Sequence, residues 1–180
     1  MLSESVTVYL GLGSNMGDRE DNMNMALDYL SQRLQMGQVS PIYETEPIGD
    51  VEQPRFLNCV CQVFTRLAPS VLLALIKGIE VKLGRTLGKS NAPRPIDIDI
   101  LYMEGVSLST AELTIPHREL FNRYFVLVPL SELVDTLNIN GKKMLLKKCI
   151  DAVQNKDGQT LKNAVSLYKS RSSYSIDGPN

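Results

Sequence analysis

Val6, Val8, Leu10 and Leu12 alternate with Ser5, Thr7, Tyr9 and Gly11, the two-residue period of a strand whose faces meet different surroundings. The spacing predicts a first strand running into Gly13. Asp18 then offers an N-cap, and Met23, Ala26, Leu27, Leu30 and Leu34 recur at helical spacing as far as Gly37, which reads as a helix terminator. An extended stretch from Val39 to Thr45 leads into EPIGDVEQP, whose two prolines and Gly49 deny regular structure, so residues 46–55 read as a mobile surface loop. A further strand is expected from Asn58 to Thr65. Pro69 opens a second helix, with Leu72, Leu75, Ile76, Ile79 and Leu83 on one stripe and Gly84 at its end. The polar segment from Arg85 to Pro93 reads as flexible. Ile96, Ile98 and Ile100 then alternate with Asp97 and Asp99, a strand with one greasy face and one carboxylate face.

Strand, helix, strand, strand, helix, strand is the order of an α+β ferredoxin-like fold, an antiparallel sheet with helices on one face. After Tyr102 come a turn, the stretch TIPHRELFNRYFVLVPL and a polar C-terminal region. We expect one domain over residues 1–165 and a polar, disordered tail over 166–180. A length of 180 residues with 43% hydrophobic and 22% charged positions fits one globular unit.

Lys plus Arg number 19 against 20 Asp plus Glu, a net charge of -1, which offers no footprint for nucleic acid or an acidic membrane. Any anionic ligand therefore needs a local cluster. Cys59, Cys61 and Cys149 are too few for a disulfide framework or, even with the lone His117, a structural zinc site. The N-terminal MLSESVTVYLGLG lacks a basic region, and the longest apolar run is Val71 to Ile76. A cytoplasmic protein without export signal or membrane span is expected.

Chemistry concentrates in Arg94-Pro95-Ile96-Asp97-Ile98-Asp99. The strand period points both acids to one side, about 6 to 7 Å apart at the backbone. Such a pair is either a solvated strand face or a site for hard cations, and magnesium favours one or two carboxylates completed by substrate phosphates. Arg85, Lys89, Arg94, Arg118 and Arg123 fall in loops at the ends of core elements, as solvated charges or as clamps on phosphate. His117 is structural or a donor to a phosphate oxygen.

Two glycine patterns fail on inspection. Residues 84–90, GRTLGKS, resemble a Walker A loop, but three residues separate the glycines and a helix precedes them. Residues 11–17, GLGSNMG, place the last glycine one position late for a dinucleotide fingerprint. Gly13, Ser14 and Asn15 read instead as a tight turn at a helix entry.

Taken together, GLGSNMGD at residues 11–18, YETEPIG at 43–49, QPRFLN at 53–58, PRPIDIDIL at 93–101 and IPHRELFNRYFVLVPL at 115–130 resemble the signature segments of the 6-hydroxymethyl-7,8-dihydropterin pyrophosphokinases. The resemblance runs from about residue 6 to about 150 and implies a three-layer α-β-α sandwich. It implies ATP as co-substrate, a reduced pterin as acceptor, and a monomer or weak homodimer. By position, Asp97 and Asp99 would hold two magnesium ions, and Arg85 and Arg94 would serve the transferring phosphates. Glu80, Lys89, Ile100, Thr114, His117, Arg118 and Arg123 would contact ATP. Thr45, Glu46, Pro47, Ile48, Phe56, Asn58 and Phe125 would form the pterin site, with the two phenylalanines stacking on the ring. The resemblance further implies that ATP binds first and that the loops at 46–55 and 85–93 then close.

The chain has no tryptophan, and Asn91-Ala92 stand before Pro93-Arg94, where many members of that family place one. Two rival readings are a nucleotide-dependent oxidoreductase built on the Gly11 turn and a non-catalytic pterin-binding module.

Overall fold

The computed structural model describes residues 4–47, 53–86, 92–157 and 165–170. Strand β1 (Val6–Ser14) lies between β4 (Phe56–Thr65) and β5 (Asp97–Met103), antiparallel to both. β3 (Ile42–Thr45) extends the sheet beyond β4, and β2 (Gln35–Val39) also pairs with β4. The order β3-β4-β1-β5 is that of the expected ferredoxin-like core.

Alternation along the strands sorts residues into two cores. Val8, Leu10, Leu12, Cys59, Cys61, Val63, Ile98 and Ile100 pack under α1 (Arg19–Ser31) and α2 (Pro69–Lys82). Tyr9, Val60 and Leu101 face the other way, under α3 (Tyr124–Ser131) and α4 (Leu146–Asp157). Helices therefore cover both faces, not one. Two short hairpins stand apart from this sheet: β6 (Leu108–Ser109) with β7 (Thr114–Ile115), and β8 (Thr136–Ile139) with β9 (Lys142–Leu145).

The first helix starts as expected, the Asp21 N–H donating to the Asp18 carboxylate, but ends at Ser31, before Leu34 and Gly37. Gly37 lies inside β2, where an added Cβ would stand 2.5 Å from Gln62 Oε1 of β4. Gly37 thus sits within a strand against the Gln62 side chain and does not terminate the helix. β10 (Val165–Lys169) pairs antiparallel with β3, so the sheet crosses the expected domain boundary at 165. Paired backbone groups hold residues 166–169 against the sheet, whereas residues 171–180 of the expected tail lie outside the described residues.

The second core also fixes β3. The Tyr43 hydroxyl donates to Glu132 Oε1 at 3.1 Å, and burial, aided by the Glu132 charge, pushes the phenol from 10.0 up to about 12. A raised folded value means that the neutral phenol contributes stability that is complete below 10.0 and lost as pH rises through about 12. Tyr43→Phe is expected to cost about 1 kcal/mol at neutral pH for the lost hydrogen bond. It should also flatten the alkaline limb. Urea unfolding at neutral pH and across that alkaline window checks both, and an unchanged alkaline slope would count against it.

Candidate active site

The site occupies the α3 face of the sheet, beside the stretch of β1 where Gly11 and Gly13 present no side chain. Gly13 is paired with Asn58 on one side and Asp97 on the other; Gly11 is paired with Val60 and Asp99. A Cβ on Gly13 would come 3.0 Å from Asn58 Oδ1, and one on Gly11 would come 3.3 Å from Leu101. Two glycines in register thus leave a cavity of about 240 Å³ above the middle of the sheet. β4 walls one side with Asn58 and Phe56, and β5 walls the other with Asp97 and Asp99.

At the β4 end, Asn58 is buried and its amide donates to Thr45 Oγ1 at 2.7 Å. That bond orients the amide group and ties β4 to β3. Thr45, Glu46, Pro47 and Phe56 line this end, and Phe125 at the start of α3 lines the same cavity. An ion-pair chain braces the wall: Arg19 Nη1 reaches Glu44 Oε1 at 2.9 Å and the Arg55 carbonyl at 2.8 Å, while Arg55 pairs with Glu46.

At the β5 end, Arg85 pairs with Asp97, and Arg94 Nε stands 3.1 Å from Asp97 Oδ2. Burial raises the Asp99 carboxyl above its ordinary range; the nearby Asp97 charge adds to this, and His117, Lys77 and Arg123 oppose it. His117 is anchored by its backbone N–H to the Leu101 carbonyl at 2.8 Å. The Glu119 N–H donates to its Nδ1 at 3.1 Å, which places the ring proton on Nε2. Burial lowers its basicity against the pull of Asp99, so the ring is a neutral Nε2–H donor. The Arg94 and Arg123 guanidinium carbons lie 5.6 and 5.8 Å from the Phe56 and Phe125 ring centroids, within cation–π range.

Beneath β5, on the α2 side, Glu80 is 1% exposed. Its Oε1 accepts from the Ile98 N–H at 2.7 Å and lies 2.8 Å from Lys77 Nζ and 2.6 Å from Arg85 Nη1. Burial raises its carboxyl, opposed by Lys77, the Ile98 N–H and Arg85. Glu80 therefore braces the strand that carries Asp97 and Asp99 and is absent from the cavity lining.

The cavity gathers Thr45, Glu46, Pro47, Phe56, Asn58, Arg94, Asp97, Asp99, His117, Arg123 and Phe125. Arg85 touches Asp97 from outside the lining. The Ile100 side chain is 2% exposed in the α1–α2 core and outside the cavity lining. Thr114 in β7 and Arg118 stand outside the lining, and Ile48 and Lys89 lie outside the described residues. Asn15 matters more than the sequence revealed. It exchanges backbone and side-chain hydrogen bonds with Arg94, at 3.2 and 2.8 Å, and its amide reaches Gln53 Oε1 at 3.2 Å. One buried amide thereby joins the strand-to-helix turn to segments on both sides of the cavity. Its signal was a single asparagine after a glycine turn, which a capping residue would match equally well.

Residues 9–135 match the family model described as 7,8-dihydro-6-hydroxymethylpterin-pyrophosphokinase (HPPK). A 2-amino-4-hydroxy-6-hydroxymethyldihydropteridine pyrophosphokinase of Methylorubrum extorquens is 41% identical over 136 residues, covering 74% of this chain and 86% of that one. Its Bacillus subtilis namesake is 42% identical over 127 residues, covering 69% and 76%. The bifunctional protein FolKE of Lactococcus lactis is 40% identical over 131 residues, and the match spans 72% of this chain but 38% of that longer protein. A solved HPPK-DHPS of Plasmodium falciparum superposes with a TM-score of 0.71 at 16% identity, covering 94% of this chain and 51% of that one, which is a likeness of fold. With the matched segment spanning most of the sheet and all the cavity residues, the chain belongs to the 7,8-dihydro-6-hydroxymethylpterin-pyrophosphokinase family.

Proposed function

We propose that this chain transfers diphosphate from ATP to the hydroxymethyl oxygen of 6-hydroxymethyl-7,8-dihydropterin, forming the pterin diphosphate and AMP within folate biosynthesis. The observation that carries the reading is the joining of two chemically different ends in one cavity. Asn58 and Asp97 flank Gly13 in register, two strand spacings or about 10 Å apart. That is the scale of a flat bicyclic ring whose side arm reaches a phosphate chain.

At the β4 end, the Asn58 amide reads the polar edge of the pterin, the backbone of residues 45–47 forms the wall, and Phe56 and Phe125 stack on the ring. At the β5 end, Arg85, Arg94 and Arg123 bind triphosphate oxygens with the His117 Nε2–H as a neutral donor. Among the described residues no group of three or more His, Cys, Asp or Glu side chains could hold a metal. Two hard carboxylates side by side fit magnesium when phosphate and water oxygens complete its shell. Asp97 and Asp99 would hold two such ions, supplying charge neutralisation at the transferring phosphate. The hydroxymethyl oxygen forms a bond to the β-phosphorus while the bond from that phosphorus to the α–β bridging oxygen breaks. AMP leaves with the bridging oxygen, and the hydroxyl proton is released to solvent.

The test is product identity. With γ-labelled ATP, the label should appear on the pterin together with unlabelled AMP, and only when the pterin is present. ADP as product, or pterin binding without AMP, would overturn the reading. Cys59, Cys61 and Cys149 carry thiols and not disulfides, which supports a reducing cytoplasm as its location.

The glycine floor gives a sharper expectation. Gly13→Ala places a Cβ 3.0 Å from Asn58 Oδ1, and the bond from Asn58 to Thr45 leaves that amide little room to retreat. The KM for pterin should rise about tenfold, with the KM for ATP changed far less. Equal changes in both would show that the floor is not specific to the pterin end.

A further inference from the structure

Each oxygen of Asp97 faces an arginine, Arg85 through a hydrogen bond and Arg94 through an ion-pair contact in which its Nε has no hydrogen-bond partner. Arg85 Nη1 closes on Oδ1, and Arg94 Nε stands 3.1 Å from Oδ2. The two arginines approach from different elements, Arg85 just beyond α2 and Arg94 just ahead of β5. Each also has a second partner. Arg85 Nη1 lies 2.6 Å from Glu80 Oε1, itself fixed by the Ile98 N–H, and Arg94 lies over the Phe56 ring.

We propose that Arg85 and Arg94 are built-in counter-ions that keep divalent cations off Asp97 until a triphosphate is present to take the guanidinium groups. Metal and nucleotide then enter together. The proposal rests on the diphosphotransferase reading of this cavity. A divalent ion arriving alone would have to displace two guanidinium groups from the oxygens it needs, leaving three cationic groups crowded around Asp97 and Asp99. A triphosphate changes the balance, because it offers each guanidinium several anionic oxygens in the paired geometry that arginine prefers. The second partners make this a hand-over. Arg85 can release Asp97 while the same Nη1 stays paired with Glu80, and Arg94 can do so while resting on an aromatic face.

The consequence has an unusual sign: removing a positively charged residue needed for turnover should improve binding of the bare metal. Mn2+ serves as the probe, with free ion counted by electron paramagnetic resonance, so no turnover is required. The wild type should bind Mn2+ weakly alone and much more tightly with a non-hydrolysable ATP analogue. In Arg94→Gln and, separately, Arg85→Gln, affinity for Mn2+ alone should rise about tenfold, the order of one partly screened unit charge. The tightening produced by the nucleotide should shrink.

Unchanged or weaker affinity for Mn2+ alone in both variants, with nucleotide-dependent binding intact, overturns the counter-ion proposal and leaves the functional reading standing. Absence of Mn2+ binding by the wild type even with the nucleotide analogue overturns both. Should Arg85→Gln melt early through loss of its contact with Glu80, Arg94→Gln alone decides.

Discussion

Asp97→Ala should lower pterin-dependent AMP formation by at least about a thousandfold, because it removes the carboxylate expected to anchor charge neutralisation at the transferring phosphate. The fold should survive. The Asp97 side chain is 21% exposed and its two arginine partners 22% and 23%, so the liberated charges remain in reach of water. Loss of Asp97 also removes the like charge that adds to burial in raising its neighbour Asp99. Asp97→Asn makes the stricter comparison: it preserves shape while removing the charge, and it should be almost as inactive. AMP counted after rapid quench, alongside thermal melts of both variants, checks the expectation. A folded Asp97→Asn protein retaining a tenth of wild-type turnover would sink the metal-holding role.

How much of this was legible in the sequence depends on which physical signal each element carries. β1, β4 and β5 announce themselves by alternation because their two faces meet different layers, and α1 and α2 by a stripe buried against one core. α3 does not. Its eight residues, YFVLVPLS, are apolar at nearly every position and include Pro129, so no period separates a buried face from an exposed one. The resemblance implied a third layer; periodicity did not find it. β10 was missed because Leu167 and Tyr168 are 57% and 46% exposed, and an edge strand need not bury a face strongly enough to pattern its sequence.

The carboxylate pair was legible by the same alternation that built its strand, but what neutralises Asp97 was not, because Arg85 and Arg94 meet it only through tertiary packing. Gly11 was read in the first strand and Gly13 in a tight turn, yet both lie within β1. Their value is the absence of side chains between Asn58 and Asp97, a property of strand pairing that no single segment displays. The cavity thus falls where three strands bring residues into register, and the sequence shows them only as separate motifs.

Glu80 offers the sharpest contrast between the two views, since its helical spacing suits a solvated charge and the resemblance implies an ATP contact, whereas the structure buries it beneath β5. Glu80→Ala should destabilise the protein by about 2 to 4 kcal/mol. The upper part of that range is discounted because Lys77 is 40% and Arg85 22% exposed, so their freed charges can be hydrated. The unpaired Ile98 N–H has no such relief, lying in a buried stretch of β5. Glu80→Gln keeps an oxygen for that N–H and should recover about half of the loss, leaving the deficit due to charge. Turnover should fall in both variants because β5 and Arg85 lose their common brace, with thermal stability falling in parallel. Urea unfolding and steady-state kinetics on the same preparations separate the roles. A direct ATP contact requires a raised KM for ATP at wild-type stability, and that result would remove Glu80 from the frame beneath the site and return it to the site itself.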